Sequence, residues 1–275
     1  MSILKNTTLA AIVRDEIMNP AGGVERWLRS TLPYVEEAVV VDTGSIDGTR
    51  EKLNELSKEF PHLRVYDRKF DDFSSSRNYS LDQVSTKMVL VLDADEIIAD
   101  KNKSIQGGFV QLGNFVNSNK AFIYKMFIDS VYIYGEDLQN ASSFNTRLFL
   151  NDKKLRFRGD VGEFIFFEET RFSELGELEK RKLASFLRNK YKTRESCLSD
   201  KESDVKGEYG WNFSNGHKIF VDSPVRIKHF KTNAFDDIMK NDLLYNEKGV
   251  LTRAPRDYLH FPDWKVYNPR RDVYN

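Results

Sequence analysis

The chain predicts an α/β protein: a Rossmann-like, mostly parallel sheet flanked by helices, followed by an α+β part. Three observations carry that expectation. Strand-like and helix-like segments alternate over the first hundred residues, a pattern that builds parallel sheets with helices on their faces. Several of the strand-like runs end in a polar, carboxylate-bearing cluster. The 275 residues, 40% of them hydrophobic, suffice for one large core or two fused smaller ones.

Taken in order, "TLAAIV" (8–13) has the length and apolar continuity of a buried strand. "GVERWLRSTLPYV" (23–35) mixes apolar and charged residues as a helix does, and "EAVVVD" (37–42) returns to a β-branched strand run. "DGTREKLNELSKEF" (47–60) reads as a second helix, with Asp47 or Thr49 able to cap its first amides. "LRVYDR" (63–68) is a third strand. "SSSRNYSLDQVS" (74–85) is a third helix capped from its serine run, and "KMVLVLD" (87–93) is a fourth strand. The division expected is 1–105, 106–235, and a basic and aromatic extension, 236–275.

Composition excludes several classes. Apolar runs reach about half a dozen residues, far short of the roughly 20 that span a bilayer. The first residues reach charge too soon for a secretory signal, so a cytoplasmic location is expected. A single cysteine, Cys197, excludes an intrachain disulfide and a cysteine-rich zinc site. Net charge is zero but unevenly spread: residues 1–100 hold 18 acidic and 12 basic side chains, residues 101–275 hold 24 and 30. The first part suits a cation, the second a polyanion.

The polar clusters fall where an open α/β sheet binds ligands, outside the carboxyl ends of its strands. The first strand ends in Arg14, Asp15 and Glu16, the second in "DTGSIDGT" (42–49), the fourth in "DADE" (93–96). Five apolar residues, Met88 to Leu92, run straight into Asp93, Asp95 and Glu96. Charges at the end of a buried strand need a partner, and a metal ion, a phosphate or an arginine would each serve.

"VVVDTGSIDGT", followed by "FDDFSSSRNYSLDQVSTKMVLVLDADEII", resembles the nucleotide-binding half of family 2 glycosyltransferases of the GT-A fold, in the same order and spacing. The resemblance continues more weakly through "NTRLFLNDKKLRFRGDVGEF" and "VRIKHFKT". It implies an inverting transfer of a sugar, glucose foremost, from a UDP-sugar to a hydroxyl, with Mn²⁺ or Mg²⁺ neutralising the departing diphosphate. By the same resemblance Asp95 is a metal ligand, joined by His229 of "VRIKHFKT". Asp93 faces the ribose or supports the metal, Asp42 reads the uracil or ribose, and Arg77 of "SSRN" reaches the base or diphosphate. Arg14 and Glu16 occupy the first-strand position, although "IMNPAGG" is longer than the usual connection there.

The acceptor hydroxyl needs a base. Family members carry a His-Glu pair after an F-x-G segment, whereas this chain reads "FRGDVGEF", with Gly162 in the histidine position and Glu163 retained. Asp160 is the competitor, and in an extended segment the two face opposite sides. "KLRFR" puts Lys154, Arg156 and Arg158 on one strand face, and "KRKLASFLRNKYKTR" (180–194), which includes Arg188, Lys190 and Lys192, has seven basic and no acidic residues. The C-terminal segment interleaves Arg253, Arg256, Lys265, Arg270 and Arg271 with Tyr258, Phe261, Trp264 and Tyr267. Such surfaces suit a phosphate-bearing polymer.

Three acceptors fit: a modified base in DNA, as in the glucosyltransferases of T-even-type phages, where the location would be the host cytoplasm; a lipopolysaccharide core or other phosphorylated glycan; or a protein side chain. The first is favoured because basic and aromatic residues are abundant. Outside this class stand a nucleotidyltransferase, which lacks its glycine-rich phosphate loop here, and a non-catalytic nucleotide-binding protein. The sequence leaves the oligomeric state open.

Overall fold

The computed structural model describes residues 3–17, 19, 23–100, 104–119, 121–132, 143–159, 164–171, 176, 178–179, 182–183, 186 and 218–231. The elements run β1 (Leu4–Val13), α1 (Val24–Thr31), β2 (Val35–Asp42), α2 (Thr49–Glu59), β3 (Leu63–Asp67), α3 (Phe73–Asp82), β4 (Met88–Val91) and β5 (Glu96–Ala99). They continue with α4 (Ile105–Asn119), β6 (Ala121–Tyr132), β7 (Ser143–Leu150), β8 (Leu155–Arg158), β9 (Phe164–Phe167), β10 (Thr170–Arg171) and β11 (Lys218–Lys231). An eight-stranded sheet has the order β3-β2-β1-β4-β7-β6-β11-β5, and β10-β9-β8 form a small antiparallel sheet.

The four strands predicted from the first hundred residues are four adjacent parallel strands. Beyond β4 the sheet becomes mixed: β7 is antiparallel to both β4 and β6, β11 is parallel to β6, and β5 is antiparallel to β11. It runs unbroken across residue 105.

Both faces of the parallel half are buried, which is why its strands are apolar at nearly every position. Leu9, Ala11, Val13, Val40, Leu90 and Leu92 join a core with Trp27 and Leu28 of α1, Leu53 and Leu56 of α2, and Phe109 and Leu112 of α4. Their neighbours Ala10, Val39, Val41, Val89 and Val91 point the other way, to Leu81 of α3 and to Leu155, Phe157, Ile165 and Phe167 of the small sheet. The period of two along each strand thus separates a layer of α1, α2 and α4 from a layer made by α3 and the small sheet.

The start of α3 departs from the expectation of a serine cap. Asp72 is the cap, its Oδ1 accepting from the Ser75 N–H at 2.7 Å and its Oδ2 from the Ser75 hydroxyl at 2.6 Å. The Ser74 hydroxyl instead donates to the Gly159 carbonyl at 2.6 Å, tying α3 to the end of β8. For α2 the left-handed Gly48 precedes the helix, and Asp47 Oδ1 accepts from the Thr49 N–H at 2.9 Å.

Helix α4 lies so close to β5 that a Cβ on Gly108 would sit 2.8 Å from the Ala99 backbone. Glycine in a helix costs about 1 kcal/mol relative to alanine, yet here the close approach outweighs the propensity. Gly108→Ala is expected to lower stability by about 1–3 kcal/mol, the usual range for overpacking, read as a lower denaturation midpoint at unchanged m-value. A gain in stability would show that α4 shifts freely on β5.

Candidate active site

Strand β1 has β2 on one side and β4 on the other, so the order reverses between β1 and β4. The carboxyl ends around that switch point carry the clusters named from sequence. Asp42, at the end of β2, is 3% exposed. Its Oδ1 accepts from the Gly44 and Ser45 N–H groups, both at 2.8 Å, closing a turn that Gly44 completes at φ 105°. Its Oδ2 is buried and has no hydrogen-bond partner among the described residues.

Between Arg14 and Glu16, Asp15 bears no mark of its own in the sequence. Its carboxylate is fully buried and accepts from the Ile46 N–H at 2.8 Å, while its own N–H donates to the Ser45 hydroxyl at 2.9 Å. Asp15 adopts φ 52°, a left-handed conformation that aspartate tolerates better than most residues. It stitches the end of β1 to the loop after Asp42. The Glu16 N–H donates to Thr49 Oγ1 at 2.8 Å, and its carboxylate accepts from Asn19 Nδ2 at 3.1 Å. Arg14 Nε lies 3.7 Å from Asp15 Oδ2.

Two arginines partner the carboxylates at the end of β4. Arg77 of α3 forms an ion pair with Asp93 and lies over the Phe157 ring, 5.9 Å from its centroid. Arg147 of β7 pairs with Glu96 and lies 3.5 Å from Asp93 Oδ2. The turn is closed by two further bonds of 3.0 Å, from the Asp93 N–H to Glu96 Oε2 and from the Glu96 N–H to the Asp93 carbonyl. Burial pushes the Asp93 carboxyl up, but the Arg77 and Arg147 charges outweigh it and hold the group well below the usual range. Burial dominates for Glu96, pushed up to about 7, with Asp93 reinforcing the shift and Arg147 opposing it.

Asp95 is left facing the site. Its Oδ2 is 3.2 Å from Nε2 of His229, which β11 delivers by pairing His229 with Glu96 of β5. Its Oδ1 is buried without a hydrogen-bond partner among the described residues. Burial lowers the His229 pKa, but the Asp95 hydrogen bond and the surrounding carboxylates outweigh it, so the net shift is upward. His62 contacts the Leu32 carbonyl at 3.1 Å, away from this cluster.

The structure therefore brings Asp93, Asp95, Arg77 and His229 together and places Arg14, Glu16 and Asp42 on the same rim. Arg147 was missed as a site residue; its signal was an arginine heading the apolar run "RLFL". Arg156 and Arg158 lie on the small sheet, with Arg156 Nη2 2.9 Å from Asp82 and Arg158 in a two-pronged pair with Glu169 at 2.6 and 2.7 Å. Asp160, Glu163, Arg188, Lys190, Lys192, Cys197 and the 236–275 segment lie outside the described residues. Among the described residues no three His, Cys, Asp or Glu side chains form a metal-holding group of their own. No described helix is long and apolar enough to cross a membrane.

Residues 23–106 match the family model described as glycosyl transferase family 2. The matched segment is less than a third of the chain. It contains Asp42, Arg77, Asp93 and Asp95 and stops short of Arg147 and His229. The matched family is the one expected from "VLDADE" and the motifs before it. A TPR repeat-containing protein of Synechococcus elongatus is 28% identical over 162 residues, which cover 59% of this chain and 36% of that protein. The match thus spans little more than a third of that relative. Among solved structures, TarS 1-349 of S. aureus in complex with UDP is similar at 19% identity and TM-score 0.37, over 50% of this chain and 38% of that one. A mannosyltransferase of Pyrobaculum calidifontis, in complex with GDP-Man and Mn²⁺, is similar at 18% identity and TM-score 0.34, over 44% and 35%.

Proposed function

We propose that the protein is a metal-dependent inverting glycosyltransferase that moves a sugar from a UDP-sugar, foremost UDP-glucose, to a hydroxyl on a polyanionic acceptor. One observation carries the reading. Past the carboxyl end of β4, Asp95 keeps a buried oxygen with no hydrogen-bond partner among the described residues and sets its other oxygen against His229. Buried polar atoms in native structures are nearly always satisfied, so an orphan at a ligand-binding rim points to a ligand.

An oxygen from Asp95 and a nitrogen from His229 suit Mn²⁺ or Mg²⁺, with the diphosphate and water completing the shell. The bound cation would neutralise the charge that develops on the leaving diphosphate. The protein's own groups do the rest. The Asp42 Oδ2 accepts a hydrogen bond from the nucleoside, with Arg14 and Glu16 beside it on the rim. Arg77 fixes Asp93, which faces the ribose. By the family resemblance Glu163 takes the proton of the attacking hydroxyl, with Asp160 as competitor.

The acceptor rests on the basic segments. Arg156 and Arg158 form exposed pairs with Asp82 and Glu169, which compete with a phosphate there, so the acceptor rests mainly on Arg188, Lys190, Lys192 and the C-terminal extension. A modified base in DNA is the first acceptor and a phosphorylated glycan the second. The test is release of nucleotide from a panel of UDP-glucose, UDP-GlcNAc, UDP-galactose and GDP-mannose, with Mn²⁺ or Mg²⁺, against hydroxymethylated DNA, glucosylated DNA and a phosphorylated glycan. UDP release from UDP-glucose, stopped by a chelator and stimulated by one of the DNAs, is the expected result. Stimulation by the glycan alone replaces the acceptor, and release from no donor overturns the reading.

A further inference from the structure

We infer that Arg147 is a positioning residue of the donor site, delivered by a β-bulge in β7 to clamp the turn that carries Asp95. This rests on the proposed role of Asp95 in holding a metal-bound diphosphate. The bulge is visible in the register of β7 on β6. Leu148 pairs with Tyr124 and Thr146 with Lys125, leaving Arg147 as one extra residue in β7 opposite that step. A bulge bends its strand and re-aims one side chain, and bulges are enriched beside active sites. On its other edge β7 pairs with β4 only as far as Leu90 with Leu148. Arg147 is thus the first residue past the ladder, level with Val91, the last residue of β4.

Its contacts explain what the bulge achieves. A single guanidinium nitrogen of Arg147 reaches both Glu96 Oε1 and, at 3.5 Å, Asp93 Oδ2. These two residues flank Asp95 by sequence and close the turn, the Asp93 N–H donating to Glu96 Oε2 and the Glu96 N–H to the Asp93 carbonyl. Glu96 is wholly buried, and two carboxylates packed together without a cation repel strongly. With Arg147 present, the turn is held at both ends. Asp95 then projects from a fixed frame, and Glu96 keeps its pairing with His229 across β5 and β11. The residue lies outside the 23–106 segment, so the acidic motif of that segment is braced by the part of the chain that follows it.

Arg147 does not itself need to touch the donor, which makes its role separable from ligand contact. Two variants test it, Arg147→Lys and Arg147→Met, with three measurements. The first is hydrogen exchange of the Asp93 and Glu96 amides in the ligand-free protein, expected to accelerate in both variants and more in Arg147→Met. The second is calorimetry of UDP with Mn²⁺, expected to weaken roughly 10- to 100-fold in Arg147→Met, the range for groups that orient a metal ligand, with partial recovery in Arg147→Lys. The third is binding of uridine alone, expected to weaken far less than UDP with Mn²⁺, because Asp42 and its loop are untouched and Arg77 still pairs with Asp93; a general loss of folding would lower this too. Wild-type amide protection together with wild-type UDP·Mn²⁺ affinity in Arg147→Lys and Arg147→Met overturns the inference. If Arg147→Met fails to fold, Arg147→Lys decides by the same criteria. Should the wild-type protein bind no UDP with Mn²⁺, the proposed function falls instead, and the exchange rates alone judge the clamp.

Discussion

Asp95→Asn is expected to abolish metal-dependent UDP binding, a loss greater than about 100-fold. Replacing a residue that merely orients a metal ligand costs roughly 10- to 100-fold, and Asp95 is assigned as the ligand itself. The substitution keeps the shape of the side chain and removes its charge. The Asp93 pairs with Arg77 and Arg147, and the Glu96 pair with Arg147, do not involve Asp95, so the turn and the fold should persist. The new amide is able to donate to an unprotonated His229 nitrogen and hold the 3.2 Å contact without offering a carboxylate to a cation. Calorimetry with UDP and Mn²⁺, supported by an unchanged denaturation midpoint, measures the effect. Unchanged affinity in a folded Asp95→Asn variant would remove Asp95 from the site and leave the orphaned Oδ1 unexplained.

The parts of this site that could be read from sequence are those that one strand or one turn specifies. The parallel strands β1 to β4 are buried on both faces, so their apolar runs are nearly continuous and their polar ends conspicuous. Asp42, Asp93 and Asp95 stand at those ends. The pairing of Asp95 with His229 joins residues far apart in the chain, and only the family resemblance, not periodicity, suggested it. Arg147 was out of reach for a different reason. Strand alternation assigns a residue to a face, and the bulge that re-aims Arg147 breaks that alternation with no local marker. Asp15 was missed because its partners are a backbone amide and a hydroxyl of the neighbouring loop, which depend on β1 lying beside β2. For Arg156 and Arg158 the alternation was right, since Leu155 and Phe157 turn into the core. What it could not supply was Asp82 and Glu169, the tertiary partners that pair with them. Strongly charged runs in sequence overstate a polyanion surface wherever the fold brings such partners close.

Glu163→Gln is expected to lower kcat by roughly 10²- to 10⁴-fold, the contribution of a positioned general base, while UDP-sugar affinity stays near wild type. The donor is assigned to Asp42, Asp95 and His229, none of which this substitution alters, so the loss should appear in kcat and kcat/KM alike. Gln is close to isosteric with Glu but accepts no proton at neutral pH. The described residues on either side supply the context: Arg158 pairs with Phe164 across β8 and β9, and the Gly159 carbonyl is held by Ser74. Ser74 opens the helix that carries Arg77 to Asp93. By the family resemblance Gly162 stands in the histidine position, a residue with no side chain to share the proton, which would concentrate the base role on a carboxylate. Asp160→Asn should be milder, with full-strength donor binding and most turnover retained. Steady-state rates at saturating donor, with donor affinity measured separately by calorimetry, distinguish the two. An inactive Asp160→Asn beside a fully active Glu163→Gln would reverse the roles and show that the family motif does not carry over at "FRGDVGEF".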